Sequence, residues 1–259
     1  MQEPEPLGSV ILVGAGPGDP ELLTLKAVRA IAGASLLLVD DLINDAVLAH
    51  AGATTRIVRV GKRGGCKSTP QAFITRMMVA AARAGHTVVR LKGGDPFIFG
   101  RGGEEVEELR AHGIAVEVVN GISSGLAAVS SLGVALTHRD HAHGVVFVTG
   151  HAKPGSQGPD WRLLAEAAAA ARLTVVIYMG IGSARHIQHG LLQGLSADTP
   201  VALVQNATLP EQRQAVTTLG MLVQCIEQQR FGSPSVIVVG DVVRGVQMIL
   251  AEPQKARST

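Results

Sequence analysis

The sequence predicts an α/β fold built as two successive α/β domains, on three observations. Short apolar runs of strand length alternate with segments whose apolar residues recur at helical spacing. Polar, glycine-bearing loops follow the strands, and a second cycle of the same alternation begins near Gly144. Such alternation argues for a largely parallel sheet covered on both faces. Ligands of open α/β sheets bind at the carboxyl ends of the strands, where strand order reverses.

The elements follow in order. Ser9 to Val13 is a strand, closed by the glycine loop Gly14-Ala15-Gly16-Pro17-Gly18-Asp19-Pro20. Leu22, Leu23, Leu25, Ala27, Val28 and Ile31 then repeat at helical spacing. Strands are expected at 36–39 and 56–60, with a short helix over 45–51 between them. A helix over 69–84 is expected to turn Phe73, Met77, Ala80 and Ala81 toward a core. A strand over 87–91, a helix over 104–111 and a strand over 115–119 complete the first cycle. Asn120 to Gly125 opens a helix of small residues over 126–132. From the segment Gly144 to His151 the second cycle begins, with strands over 173–179, 201–205 and 235–239 and helices over 160–171, 183–193 and 220–229. The expected division is a flexible N-terminus (1–8), an N-terminal domain (9–125), a C-terminal domain (126–245) and a tail (246–259). The boundary falls between Gly121 and His143.

Composition narrows the function. The formal net charge is +2, which does not predict nucleic-acid binding by bulk charge. Aromatics are 3% of the chain, too few for a base-stacking platform. No uncharged 18-residue apolar run suggests a membrane span. Cys66 and Cys225 offer neither a disulfide framework nor a metal cluster. A reducing compartment suits them, so a cytoplasmic location is expected. Cys225, within an apolar stretch, reads as a buried small hydrophobe.

The richest segment is Arg90 to Glu105, where five glycines stand among two arginines, a lysine, an aspartate and two glutamates. So permissive a backbone is entropically costly and suits a close approach to a ligand. The first glycine loop is not a dinucleotide fingerprint. Asp19 stands where G-x-G-x-x-G needs its third glycine, and Pro17 removes a backbone donor. His138, His141, His143 and His151 match no zinc spacing. The charged residues at strand ends carry more. Asp40 ends the second strand, Lys62 and Arg63 follow the third, and Asp95, Arg101 and Glu104 follow the fourth. Arg139 lies in the central connection. Each alone is as readily a solvated surface residue. Together they suit a substrate with many carboxylates, which arginine grips in planar, bidentate fashion.

Longer motifs carry a resemblance. They are Val13 to Pro20, Gly61-Lys62-Arg63-Gly64-Gly65, Arg90 to Glu105, Leu136-Thr137-His138-Arg139, Val148-Thr149-Gly150-His151 and Tyr178-Met179-Gly180. In these the chain, from about Ser9 to Val243, resembles the uroporphyrinogen-III C-methyltransferases of the tetrapyrrole (precorrin) methylase superfamily. The resemblance implies two α/β domains with the active cleft between them, and a homodimer. It implies S-adenosyl-L-methionine as methyl donor and S-adenosyl-L-homocysteine as product, with no metal. The implied donor contacts are Pro17, Gly93, Gly94, Asp95, Ile98, Ser123, Ser124, Met179 and Ala207. Asp40 falls at the position of proton abstraction and Lys62 at that of proton donation, with Arg101 and Glu104 completing the catalytic set. Arg63, Arg101 and Arg139 are the implied substrate contacts. The substrate would be uroporphyrinogen III, methylated at C2 and then C7 to precorrin-2, a precursor of siroheme and cobalamin.

Three motifs depart from the family pattern. Val39-Asp40-Asp41-Leu42-Ile43 stands for Tyr-Asp-Arg-Leu-Val, so an arginine has become Asp41. Asn120-Gly121-Ile122-Ser123 stands for Pro-Gly-Ile-Thr and keeps the hydroxyl. Gln205-Asn206-Ala207-Thr208 stands for Glu-Asn-Gly-Thr, so Ala207 replaces a donor-lining glycine, whose place its backbone could take if φ there is negative.

Overall fold

The computed structural model describes residues 7–61, 70–152, 155 and 158–245. The chain divides into two compact units, Met1–Ser123 and Ser124–Thr259. Each is built on one five-stranded sheet.

The first unit contains β1 (Ser9–Gly14), α1 (Leu25–Ala32), β2 (Leu36–Val39), β3 (Arg56–Arg59), α2 (Gln71–Arg83), β4 (Thr87–Lys92), α3 (Gly102–Ala111) and β5 (Ala115–Val119). Its sheet has the order β3-β2-β4-β1-β5, and every pairing is parallel. Alternate strand residues serve opposite faces. Val13, Leu37, Val39, Val89 and Leu91 pack with Ala27 and Ile31 of α1. Val10, Leu12, Leu36, Leu38 and Val88 pack with α2 and α3 through Ile74, Met78, Val106 and Leu109. The helices leaving β1 and β4 thus cover opposite faces of two neighbouring strands. That is the strand reversal at which α/β sheets open a crevice, at the carboxyl ends of β1 and β4.

Local sequence explains the starts. Thr24 caps α1 by accepting a hydrogen bond from the Ala27 amide. A 3₁₀ turn over Pro20–Leu22 precedes it, so the helix begins later than the apolar spacing implies. The expected short helix near Asp45 is a 3₁₀ helix, Asp45–His50. On α2 the buried residues are Ile74, Thr75, Met78, Val79 and Ala82. The expected face is therefore corrected by about one residue: Phe73 is 46% exposed and Ala80 is exposed, while Met77 and Ala81 stay at the edge of the core.

The second unit contains α4 (Ser124–Ser131), β6 (Gly144–Thr149), α5 (Trp161–Ala171), β7 (Leu173–Tyr178), α6 (Ala184–Leu191), β8 (Pro200–Gln205), β9 (Arg213–Thr218), α7 (Leu222–Gln229) and β10 (Ser235–Val239). The sheet order is β6-β7-β10-β8-β9. Only β6 and β7 pair in parallel; β10 runs antiparallel to both β7 and β8, and β9 antiparallel to β8. Helices α5, α6 and α7 cover one face and α4 the other. Asp160 caps α5 through the Leu163 amide. Strand β9 is not expected from its sequence, Arg-Gln-Ala-Val-Thr-Thr, because it is an edge strand with only Ala215 buried. Cys225 is buried, as its apolar setting implies, and burial raises its thiol pKa. Among the described residues no helix is long and apolar enough to cross a membrane.

Candidate functional site

At the carboxyl ends of β1 and β4 two glycine loops are stitched together. Gly16 and Gly94 exchange backbone hydrogen bonds, at 2.7 and 3.2 Å, and the Ala15 amide donates to the Lys92 carbonyl at 2.8 Å. Close approach is what the glycines supply. A Cβ at Gly14 would lie 2.5 Å from the Gly121 nitrogen and 2.6 Å from the Gly94 carbonyl oxygen. The loop after β1 therefore packs beside the β4 loop.

Asp95 holds this arrangement. One carboxylate oxygen accepts from the Phe97 amide at 2.8 Å. The other accepts from the Asn120 side chain at 3.0 Å and the Gly121 amide at 3.2 Å. The side chain, expected to face a ligand, is thus turned to its own loops, and the neighbouring backbone forms the rim. Beyond it Phe97, Ile98 and Phe99 are 53%, 38% and 40% exposed. Consecutive apolar side chains on the surface of a glycine loop suit an apolar ligand face.

Behind this rim lies a group of buried charges. Val88, Arg90 and Lys92 alternate onto the face of β4 that α2 and α3 cover, so two cations stand where the pattern places core residues. Arg90 is 2% exposed and Glu105, on α3, 0%. Arg90 donates through Nη2 to Asp40 Oδ1 at 2.6 Å and through Nε to Glu105 Oε1 at 3.2 Å. Lys92 Nζ lies 3.0 Å from Glu105 Oε2 and 3.9 Å from Asp40 Oδ2. Gln71 of α2 also donates to Glu105. Burial is the main cause that lowers the Lys92 pKa, with Arg90 adding to it; Glu105 and Asp40 oppose the shift. Asp40 itself, just past β2, keeps 31% side-chain exposure and is the member that reaches solvent.

Arg101 and Glu104 are bound to each other. Arg101 has a left-handed backbone (φ 58°) at the start of α3, and its Nε contacts both Glu104 oxygens at 3.1 Å. The pair is more than half exposed, and its hydrogen bonding raises the Arg101 pKa. Any external carboxylate binding Arg101 competes with Glu104. Asp41 packs its carboxylate against Gly61. Lys62 and Arg63 lie outside the described residues. Pro17, Gly93 and Gly94 are half-buried in the stitched loops and Ser123 is buried.

In the second unit, the Gly125 amide at the start of α4 donates to the Tyr178 hydroxyl at 2.8 Å, which fixes Ser124 beside it. Met179 follows β7 with φ 55° and is 49% exposed. Ala207 is buried between Asn206 and Thr208, both left-handed at φ 52° and 69°; Ala207 itself is not in that region, so its backbone meets the condition its sequence context sets. Arg139 is exposed in the turn between His138 and Ala142. A cleft of about 390 Å³ is lined by Met179, Ser183, His151, His186 and Trp161. Among the described residues no group of three or more His, Cys, Asp or Glu could hold a metal ion.

Sequence reasoning missed Arg90, Lys92 and Glu105 as a unit. The signal was present: cations in alternation on an apolar strand, and a glutamate in register with Gly102, Val106 and Leu109 on the buried stripe of α3.

The site can be set beside known proteins. The family described as Tetrapyrrole (Corrin/Porphyrin) Methylases matches residues 9–223. The chain is 51% identical over 240 residues to uroporphyrinogen-III C-methyltransferase of Pseudomonas aeruginosa, across 92% of this chain and 96% of that one. Among solved structures, the native uroporphyrin III C-methyl transferase of Thermus thermophilus is 40% identical, with a TM-score of 0.78 over 97% of this chain and 98% of that one. A Thermus thermophilus structure of the enzyme complexed with S-adenyl homocysteine is 42% identical, with a TM-score of 0.78 over 92% of this chain and 100% of that one.

Proposed function

Since the chain belongs to the tetrapyrrole (corrin/porphyrin) methylase family, we propose that it methylates uroporphyrinogen III at C2 and then C7, forming precorrin-2 by way of precorrin-1. Each transfer converts one S-adenosyl-L-methionine to S-adenosyl-L-homocysteine. The observation that carries the mechanism is the setting of Asp40. It is a partly exposed carboxylate at a strand end, with one oxygen held by a buried arginine and the other 3.9 Å from Lys92.

The residues present fit the donor. The loop over Gly93, Gly94 and Asp95 offers close backbone, and Ile98 exposed apolar surface. Pro17, Ser123, Ser124, Met179 and Ala207 are the further contacts we assign. When bound, the donor supplies an electrophilic methyl group on a sulfonium sulfur. The protein contributes alignment, which accounts for a large share of such a displacement. As the new carbon–carbon bond forms, the sulfur leaves as a thioether and the pyrrole ring becomes cationic. Asp40 takes the proton that the macrocycle then loses. Lys62 is assigned the matching proton donation. Arg101, Arg139 and Arg63 are assigned to the substrate's carboxylates, with Glu104 exchanging Arg101 to the substrate. A homodimer in the cytoplasm is part of the same proposal, checked by sedimentation and by cell fractionation.

Asp40→Asn tests the base. Turnover is expected to fall about 10²- to 10⁴-fold while calorimetric donor affinity is retained. Full turnover in this variant contradicts the role.

A further inference from the structure

The buried charges behind Asp40 balance: Arg90 and Lys92 against Asp40 and Glu105. A strand that simply filled its core would carry apolar residues at these positions, since burying ions is costly even when they are paired. The geometry gives this group a directed form. Glu105 is fully buried and anchored by Arg90, Lys92 and Gln71. Both cations also reach Asp40, the one member with substantial solvent access.

We infer that Glu105, Arg90 and Lys92 form a charge-balancing mount that sets how readily Asp40 accepts a proton, with Glu105 and Lys92 as positioning residues acting in opposite directions. Glu105 draws the charge of both cations away from Asp40. Lys92 places a cation 3.9 Å from the Asp40 oxygen that Arg90 does not hold. Among the described residues the other neighbouring charges are turned elsewhere: Arg59 of β3 pairs with Asp45, Glu104 of α3 with Arg101, and Asp41 packs on Gly61. From α2 the group receives Gln71, a neutral amide. The lowered Lys92 pKa agrees with a cation kept buried at some cost, and with Glu105 as an opposing influence.

This inference rests on Asp40 as the base, and its test separates the two. The pH profile of kcat is measured for wild type, Glu105→Gln and Lys92→Met, with circular dichroism and donor binding confirming the fold. Removing the Glu105 charge leaves Asp40 facing uncompensated cations. The acid limb is expected to move to lower pH by about 1 unit, and kcat to fall as the base weakens. Removing the Lys92 charge is expected to move the limb to higher pH by a similar amount. Lys92→Arg, which keeps the charge, is expected to leave the limb within about 0.3 unit of wild type. A merely structural role would lower kcat without shifts of opposite sign. If Asp40→Asn is inactive while both limbs stay fixed or move together, the mount is overturned and the base stands. If Asp40→Asn is fully active, the base itself fails. Should Glu105→Gln not fold, Lys92→Met decides alone: an unmoved limb overturns the inference.

Discussion

The Asp95 carboxylate accepts a hydrogen bond from the Asn120 side-chain amide at 3.0 Å, joining the loop after β4 to the end of β5. The same carboxylate takes the Phe97 and Gly121 amides, so three donors converge on one buried acid. Asp95→Asn places a donor among donors. It is expected to cost about 2–3 kcal/mol, and Asn120→Ala, which removes one donor, about 1 kcal/mol. Urea unfolding checks this; an unaltered Asp95→Asn would mean the loops are held by other contacts.

Two glycines of this region have opposite expected responses. A Cβ at Gly121 would collide with the Gly94 carbonyl and lie 2.8 Å from the Gly14 Cα, all backbone that has nowhere to go. Gly121→Ala is expected to destabilise by about 3 kcal/mol. Gly103, in the first turn of α3, has nothing within 4 Å of its Cβ position. Gly103→Ala is expected to stabilise by about 0.5–1 kcal/mol. Thermal melts of the two variants moving the same way would contradict the packing described.

Lys92 predicts an alkaline signature. Its folded pKa is lowered from the ordinary 10.5, chiefly by burial. Between the folded value and 10.5 the unfolded chain binds more protons at this side chain, so its contribution to stability rises with pH. The difference in unfolding free energy, wild type minus Lys92→Met, is therefore expected to grow as pH rises from neutral toward 10.5, and to level above it. A difference that shrinks over this window would show that the ion contacts outweigh burial.

The Arg101–Glu104 pair is more than half exposed, and exposed pairs contribute little. Arg101→Leu is expected to change stability by less than about 1 kcal/mol. On the proposed substrate role, KM for the tetrapyrrole rises about 10- to 100-fold, the loss of one charged hydrogen-bonding partner, while donor affinity is unchanged. Unchanged steady-state kinetics would remove Arg101 from the substrate site.

How much of this is legible in the sequence depends on how local its cause is. Strands β1 and β2 read directly, because buried parallel strands are near-continuous apolar runs, and β4 reads through Val88 and Val89. A continuous run hides which face each residue serves, so Arg90 near the end of the expected strand and Lys92 just beyond it do not read as core residues until α2 and α3 are seen to cover them. Glu104 and Glu105 are neighbours with opposite fates. A helix expected to start at Glu104 cannot tell them apart; one starting at Gly102 puts Glu105 in the buried stripe and leaves Glu104 beside Arg101. Strand β9 escapes because its polar edge carries no alternation, and the antiparallel placement of β10 is a long-range choice no local pattern records. Asp95 is found as a conspicuous acid, but its use as a staple for Asn120 and Gly121 depends on tertiary contact.

The proposed reaction is methyl transfer to a tetrapyrrole with Asp40 as base. Its most direct test is the mass of the product formed when purified protein meets uroporphyrinogen III and S-adenosyl-L-methionine without oxygen. The expected product carries two added methyl groups with wild type, and Asp40→Asn yields almost none while still binding the donor. Unmethylated substrate recovered from wild-type protein that binds the donor, or full dimethylation by Asp40→Asn, would contradict it.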